Sequence, residues 1–384
     1  MQRSEDRILT THVGSINRPP ALMEILESKY TGKPYDQAAY AERLSGSVAD
    51  VVKRQIELGI DVPSDGEFGK SGFNHYPVER MTGFSPYQGP PERMQRGGRD
   101  RDAFADFYVE YDKLQPMTGD VLAPMACSGP ITYQADLLKQ DLENFRVALQ
   151  GLEVEDAFYP AIAPWAFQAR HNQHYSTDEA FLGAVADALK TEYRMIEDAG
   201  FLLQIDAPVG SGSYDGAPES VAGIRRQLAS GIEVLNHALA GIPEDRVRYH
   251  FCWGSWHGPH KFDIPMKDVI DIVFQAHAQA ISLEAANAAH EHEYEDWEDI
   301  RLAEGKLVLP GVVTHSTNII EHPRLVAQRI ERYARVVGRE NVIASTDCGF
   351  SQGAFSAKVH PSITWAKLGA LVEGARLASQ KLWS

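Results

Sequence analysis

Short β-branched runs, most of them followed by a helical pattern, recur eight times along the chain. The runs are Ile8 to Val13, Gly59 to Ser64, Val121 to Cys127, Phe201 to Asp206, Val247 to Trp253, Ile281 to Glu284, Leu307 to Val313 and Val342 to Thr346. Helical spacing is found in Arg43 to Leu58, Tyr133 to Leu149, Thr177 to Ala199, Pro218 to Leu239, Met266 to Ala278, Pro323 to Val337 and Ile363 to Gln380. A helix between two strands carries the chain back to the end where it started, so the strands pair in parallel. Eight such units predict an α/β fold, a (β/α)8 TIM barrel. No Pro/Ser-rich linker or change in composition divides the 384 residues, and a single domain over 1–384 is expected. Two segments exceed an ordinary loop. Phe73 to Asp120 carries Arg93, Arg96, Arg99 and Arg101, and Glu153 to Tyr175 carries Phe158, Tyr159, Trp165 and Tyr175. They read as insertions near 73–120 and 153–175 that roof the C-terminal mouth, where barrel active sites are built.

Residues at that end of the strands converge on one spot although far apart in sequence. Seven of the eight runs end in or just before a polar or reactive group: Ser15, Asp65 with Glu67, Asp206, His250 with Cys252, Glu284, His315 and Cys348. Strand side chains alternate faces, so His250 and Cys252 project to the same side. An imidazole and a thiolate on one face suit Zn²⁺, and Glu284 and Cys348 would complete a set of four ligands. Zinc held by two thiolates is a poor generator of hydroxide but accepts an incoming thiol. It would lower that thiol's pKa from about 8.5 and present it as a thiolate at neutral pH. Exchange of Glu284 for substrate sulfur would keep the metal open. Cys127 lies among small apolar residues and reads as core.

The formal charge of −16 argues against nucleic acid or an anionic membrane as partner. Small molecules are the expected partners, a thiol and an alkyl donor, and a homo-oligomer is compatible with the sequence. No run approaches the roughly 18 apolar residues of a membrane span. The N-terminus lacks the apolar stretch of a signal peptide, and a cytoplasmic location is expected. Three scattered cysteines make no disulfide framework.

The motifs THVGS at 11–15, DGEF at 65–68, GPIT at 129–132, QIDAP at 204–208, HFC at 250–252, LPGVVTHST at 309–317 and STDCGF at 345–350 resemble the catalytic barrel of cobalamin-independent methionine synthase. The resemblance runs from near residue 8 to the C-terminus, in the family's order. It implies a zinc-dependent alkyl or methyl transferase, with Zn²⁺ on His250, Cys252, Glu284 and Cys348. Ser15, Glu67 and Asp206 would hold the polar end of the substrate thiol, and His315 would pass a proton to the leaving group, with His257 as a second candidate acid. Ala207 stands where the family's DEP motif has Glu, and Tyr133 and Gln134 follow GPIT where a pterin-stacking Trp is expected. CWGSWHGPH at 252–260 and the tail from Asp347 resemble the single-barrel branch that includes epoxyalkane:coenzyme M transferases. That branch implies an epoxide or activated methyl donor as electrophile. The alternative is methylation of homocysteine from a folate or another donor.

Other classes compete. A metal-free decarboxylase of the uroporphyrinogen kind shares the barrel, and the ligand set argues against it. A zinc hydrolase is disfavoured by the two thiolates, and a structural zinc site is the non-enzyme reading. His290-Glu-His292 lacks the HExxH spacing and reads as a charged loop, and GSGS at 210–213 is no phosphate loop.

Overall fold

The computed structural model describes residues 1–89, 98–114, 124–167, 171–208, 220–353, 355 and 358–384. Arg93, Arg96, GSGS and the start of the run from Val121 lie outside them. Among the described residues seven parallel strands form the barrel wall: β1 (Leu9–Thr10), β2 (Phe158–Ile162), β3 (Leu202–Pro208), β4 (Val247–Cys252), β5 (Ala280–Leu283), β6 (Leu307–Val313) and β7 (Ile343–Thr346). Their order is β1-β7-β6-β5-β4-β3-β2. Residues 61–63 close the ring between β1 and β2. The Val62 amide donates to Thr10 O at 3.0 Å, and the Phe158 amide donates to Pro63 O at 3.1 Å. The expected α/β barrel is therefore present.

The third strand is not the one expected. Met125–Cys127 pairs antiparallel with Phe84–Pro86 and parallel with His171–Asn172, in a small sheet separate from the barrel. The barrel position belongs to Phe158–Ile162, buried at every residue and in register with β3 from Phe158↔Leu202 to Ile162↔Asp206. The segment expected as an insertion near 153–175 thus contains a wall strand. Pro160 disguised it, since proline is rare in central strands. Here the imide lies on the side facing 61–63, past the last bond there, and Lys70 Nζ satisfies the Pro160 carbonyl at 2.6 Å. The helix expected over 266–278 is shorter too, a turn at Met266–Asp268 and Ile270–Val273.

The outer helices follow their caps. Asp36 accepts from the Ala38 and Ala39 amides at the start of Gln37–Leu58, which ends on Gly59 at φ +100°. Thr177 and Ser220 cap Asp178–Asp198 and Val221–Ala238, and Pro323 and Pro361 open Pro323–Val337 and Pro361–Leu382. No described helix is long and apolar enough to cross a membrane.

Inside the barrel the side chains form layers. Gln204 sits opposite Arg248 on adjacent strands, and one step toward the mouth Asp206 sits opposite His250 and His250 opposite Ser282. The deeper layer braces β1, which has only two residues. Arg248 donates to His12 O at 2.7 Å and to Thr11 Oγ1 at 3.0 Å, and Gln204 donates to Val13 O. The upper layer floors the mouth.

Candidate active site

Two cavities adjoin at the mouth. The inner one, about 70 Å³, is lined by Ser15, Glu67, Asp206, His250, Cys252 and Cys348, together with Phe73, Asn74, Ser255, Gln352 and neighbouring backbone. The outer one, about 440 Å³, is lined by Trp256, His257, His260, Asn287, His315 and the 316–317 loop, and Gly254 lines both.

Parallel register builds the metal-binding wall. His250 and Cys252 share a face two residues apart, and Ser282, opposite His250 on β5, bonds its Nδ1 at 3.2 Å. That leaves Nε2, which is buried and without a hydrogen-bond partner among the described residues. Donor atoms of His250, Cys252 and Cys348 lie within 4.8 Å of one another, and all three residues are buried. An orphaned imidazole nitrogen beside two sulfurs is a donor set that fits zinc. Among protein groups alone the pair behaves as one thiol and one thiolate. The Cys252 S–H holds Cys348 well below the usual thiol range, and the same contact pushes Cys252 up. Burial opposes charge on His250, but the neighbouring Cys348 prevails and raises it.

Glu284 was expected as the fourth ligand, and here it belongs to a neighbouring group. Its donor atom lies within 4.8 Å of those of His315 and Asp347. Its oxygens accept hydrogen bonds, Oε1 from the Trp253 amide at 3.3 Å and Oε2 from Asn287 Nδ2 at 2.9 Å. Asp347 Oδ1 accepts from the Ala285 and Ala286 amides, both at 2.8 Å.

The floor of the inner cavity is acidic. Gly66 and Glu67 both have positive φ, +72° and +60°, a left-handed turn that non-glycine residues rarely adopt. Arg18 Nη2 braces it by donating to Glu67 O at 2.6 Å, and Lys70 pairs with the Glu67 carboxylate at 3.4 Å. Asp206 accepts from Gln204 at 2.7 Å. Burial, and then the charge of Glu67, push Asp206 up to about 7. The two buried carboxylates share the single Lys70 ammonium, which leaves the floor net acidic and favours a second cation. Ser15 takes its place because residue 349 has no Cβ, which would stand 2.1 Å from Ser15 Oγ. The Phe350 amide donates to Ser15 O at 2.9 Å, and the Ser351 amide to Oγ at 3.3 Å.

His315 faces the outer cavity. Burial lowers it to about 3, a neutral ring. Its Nε2 is hydrogen-bonded to Ser255 Oγ, which also accepts from Gln352 Nε2. His257 is lowered too, by burial and then by Lys358. The described part of the 73–120 insertion backs this cavity. Tyr108 OH accepts from Trp256 Nε1 at 3.2 Å, Tyr111 OH accepts from the His257 amide at 3.1 Å, and the Arg99 guanidinium lies 4.5 Å over the Phe262 ring. Tyr133 lines neither cavity.

Sequence reasoning missed Ser255, Gln352, Asp347, Asn287 and Lys70 in the site. It also read His290 as part of a charged loop, whereas the ring is buried. His290 stacks on Trp253 at 3.6 Å and bonds Asp263 at 3.1 Å and Glu293 at 3.2 Å, and Asp263 also bonds His260 at 2.7 Å. The only local signal was the alternation of histidine with acid in 290–296.

The comparisons with known proteins agree with this fold. The fold resembles a B12-independent methionine synthase from Shewanella sp. W3-18-1 in complex with selenomethionine. The TM-score is 0.72 at 21% identity, over 98% of this chain and 99% of that one. A putative vitamin-B12-independent methionine synthase from Listeria monocytogenes follows at 0.65 and 17% identity, over 96% and 98%. In sequence, the methionine synthase of Thermococcus kodakarensis is 22% identical over 97% of this chain and 94% of its own length. That of Saccharolobus islandicus strain Y.N.15.51 is 25% identical over 97% and 95%. The relatives in sequence are methionine synthases, in line with the methionine-synthase alternative, and the single-barrel branch expected from CWGSWHGPH is not shown. More than half of the chain, residues 161–375, matches the family model "Cobalamin-independent synthase, Catalytic domain", and the chain belongs to that family.

Proposed function

We propose that the protein is a zinc-dependent methyltransferase that methylates the sulfur of homocysteine to give methionine. The observation that carries this reading is the placement of His250, Cys252 and Cys348 in the same small cavity as Ser15, Glu67 and Asp206. One wall is a soft metal site, and the opposite floor carries two acids suited to an α-ammonium. The whole chain, 1–384, acts as one catalytic barrel.

Zinc bound by His250, Cys252 and Cys348, with Glu284 as an exchangeable fourth ligand, would hold the substrate sulfur and favour its thiolate. Glu67 and Asp206 bind the ammonium, and Ser15 donates to the carboxylate. These contacts aim the sulfur at the outer cavity, where the methyl donor is bound. The tyrosine-backed 256–260 segment lines that side, and His315 supplies the proton that the leaving group needs. His257 is the second acid candidate on the same wall.

The test is direct. Zinc-loaded enzyme is given homocysteine and a panel of methyl donors, including methyltetrahydrofolate and small sulfonium or ammonium donors, and methionine is measured by mass spectrometry. Methionine from at least one donor is the expected result. The absence of the pterin-stacking Trp after GPIT predicts that the folate donor is slow or inactive. Zinc-loaded enzyme that binds homocysteine no better than an amine-free thiol would refute the assignment of the acidic floor.

A further inference from the structure

The methyl transfer proposed above has a proton to account for on each side of a wall. The thiol loses one in the inner cavity, and the leaving group gains one in the outer cavity. Ser255 lines the inner cavity and His315 the outer, and the two side chains are hydrogen-bonded to each other beside Gly254, which lines both.

Gln352 Nε2 lies 3.2 Å from Gly349 O. A carbonyl only accepts, so the amide nitrogen is the atom on that side. The same nitrogen contacts Ser255 Oγ and can only donate to it. Ser255 Oγ therefore accepts from Gln352, and its own hydrogen is available to His315 Nε2. A ring accepting at Nε2 is neutral and carries its hydrogen on Nδ1. That nitrogen has no hydrogen-bond partner among the described residues. Glu284 and Asp347 each place a carboxylate oxygen within 4.8 Å of a ring nitrogen of His315.

We infer that Ser255 is a proton relay that carries the hydrogen lost by the thiol through the wall to His315. As the S–H bond breaks, its proton passes to Ser255 Oγ while the serine's own proton passes to His315 Nε2. The ring holds the second proton only in passing: it gives its Nδ1 hydrogen to the leaving atom X as the S–C bond forms and the C–X bond breaks, and it is left neutral with its hydrogen on Nε2 until the ring protons exchange with solvent. The sum is R–SH + CH₃–X → R–S–CH₃ + H–X, with no other acid or base consumed. Gln352 is a positioning residue, since its donation keeps the serine hydrogen aimed at the ring.

This inference rests on the methyltransferase reading, so its test has one arm without turnover. Zinc-loaded protein labelled with ¹⁵N-histidine, with His315 assigned by comparison with His315→Asn, reports the tautomer. A neutral ring protonated on Nδ1 is expected, with its Nε2 signal shifted in Ser255→Ala. A ring protonated on Nε2 would overturn the relay whether or not the enzyme reading stands. In turnover, Ser255→Ala should lower kcat by about 10-fold or more, the lower range for general acid–base groups, with zinc content and the KM for thiol unchanged. Ser255→Thr, which keeps the hydroxyl, should recover most of the rate. The wild type should show a curved dependence of kcat on deuterium fraction, from two protons in flight, and Ser255→Ala a linear one. Ser255→Ala with wild-type kcat and the same curvature would sink the proposal.

Discussion

Asp206 is the residue whose replacement tests the substrate assignment most sharply. In Asp206→Asn the side-chain oxygen can still accept from Gln204, the bond that Asp206 makes at 2.7 Å. The amide nitrogen then takes the place of the other carboxylate oxygen, so a donor faces the ammonium where an acceptor had been. Loss of a hydrogen bond to a charged group costs about 1.5–3 kcal/mol, which is about a 10- to 150-fold rise in the KM for homocysteine at roughly 1.4 kcal/mol per decade. The effect belongs to binding, so kcat should stay within a few-fold. The control is built into the ligand. A thiol of the same length that keeps the carboxylate but lacks the amine should bind wild type and variant alike, and steady-state kinetics or calorimetry with both thiols closes the cycle. Equal losses for the two thiols would mean that Asp206 shapes the cavity without reading the amine, and no loss for either would remove Asp206 from the site.

Metal content gives a second prediction. As purified without chelator the protein should hold about one zinc per chain. Cys252→Ser and Cys348→Ser should lose most of it while Cys127→Ser keeps it, by elemental analysis. His315→Asn should lower kcat by about 10²-fold with zinc intact, as expected for loss of an acid, and a normal rate would withdraw its role. Gly349→Ala puts a Cβ 2.1 Å from Ser15 Oγ, so Ser15 must move. A stability loss of about 1–3 kcal/mol is expected together with weaker thiol binding, read by thermal melting and kinetics. The last concerns pH. Asp263 and Glu293 outweigh burial and raise His290 to about 9, from an ordinary 6.5. A raised histidine contributes stability that is fully present below pH 6.5 and is lost as pH rises through 9. The loss is on the order of 3 kcal/mol and should be absent in His290→Gln, as measured by denaturant titration at pH 6 and pH 9.5.

The barrel and the floor of the site were legible because both depend on short-range periodicity. His250 and Cys252 had to share a face, and strand ends had to meet at one mouth. The third strand was not legible, since Pro160 breaks the pattern and its carbonyl is satisfied by Lys70, whose place depends on the fold. Glu284 could be placed at the mouth from its run, but its direction depends on the Trp253 amide and on Asn287, two groups set by loops. Ser255 and Gln352 carry no signal at all in sequence. They come together across 97 residues because two separate loops fold over the same gap.

The two cavities come from different kinds of chain. The inner one is made mainly at strand ends, where a shift of one residue would turn His250 and Cys252 to the wrong face. The outer one is made of the 254–260 and 315–317 loops, propped from outside by the tyrosines of Ala105–Leu114. Substitutions in those loops and in the helix behind them leave the sulfur-binding wall in register. A lineage built on this plan is free to change the molecule that gives up its methyl group while the thiol that receives it, and the ion that holds it, stay the same.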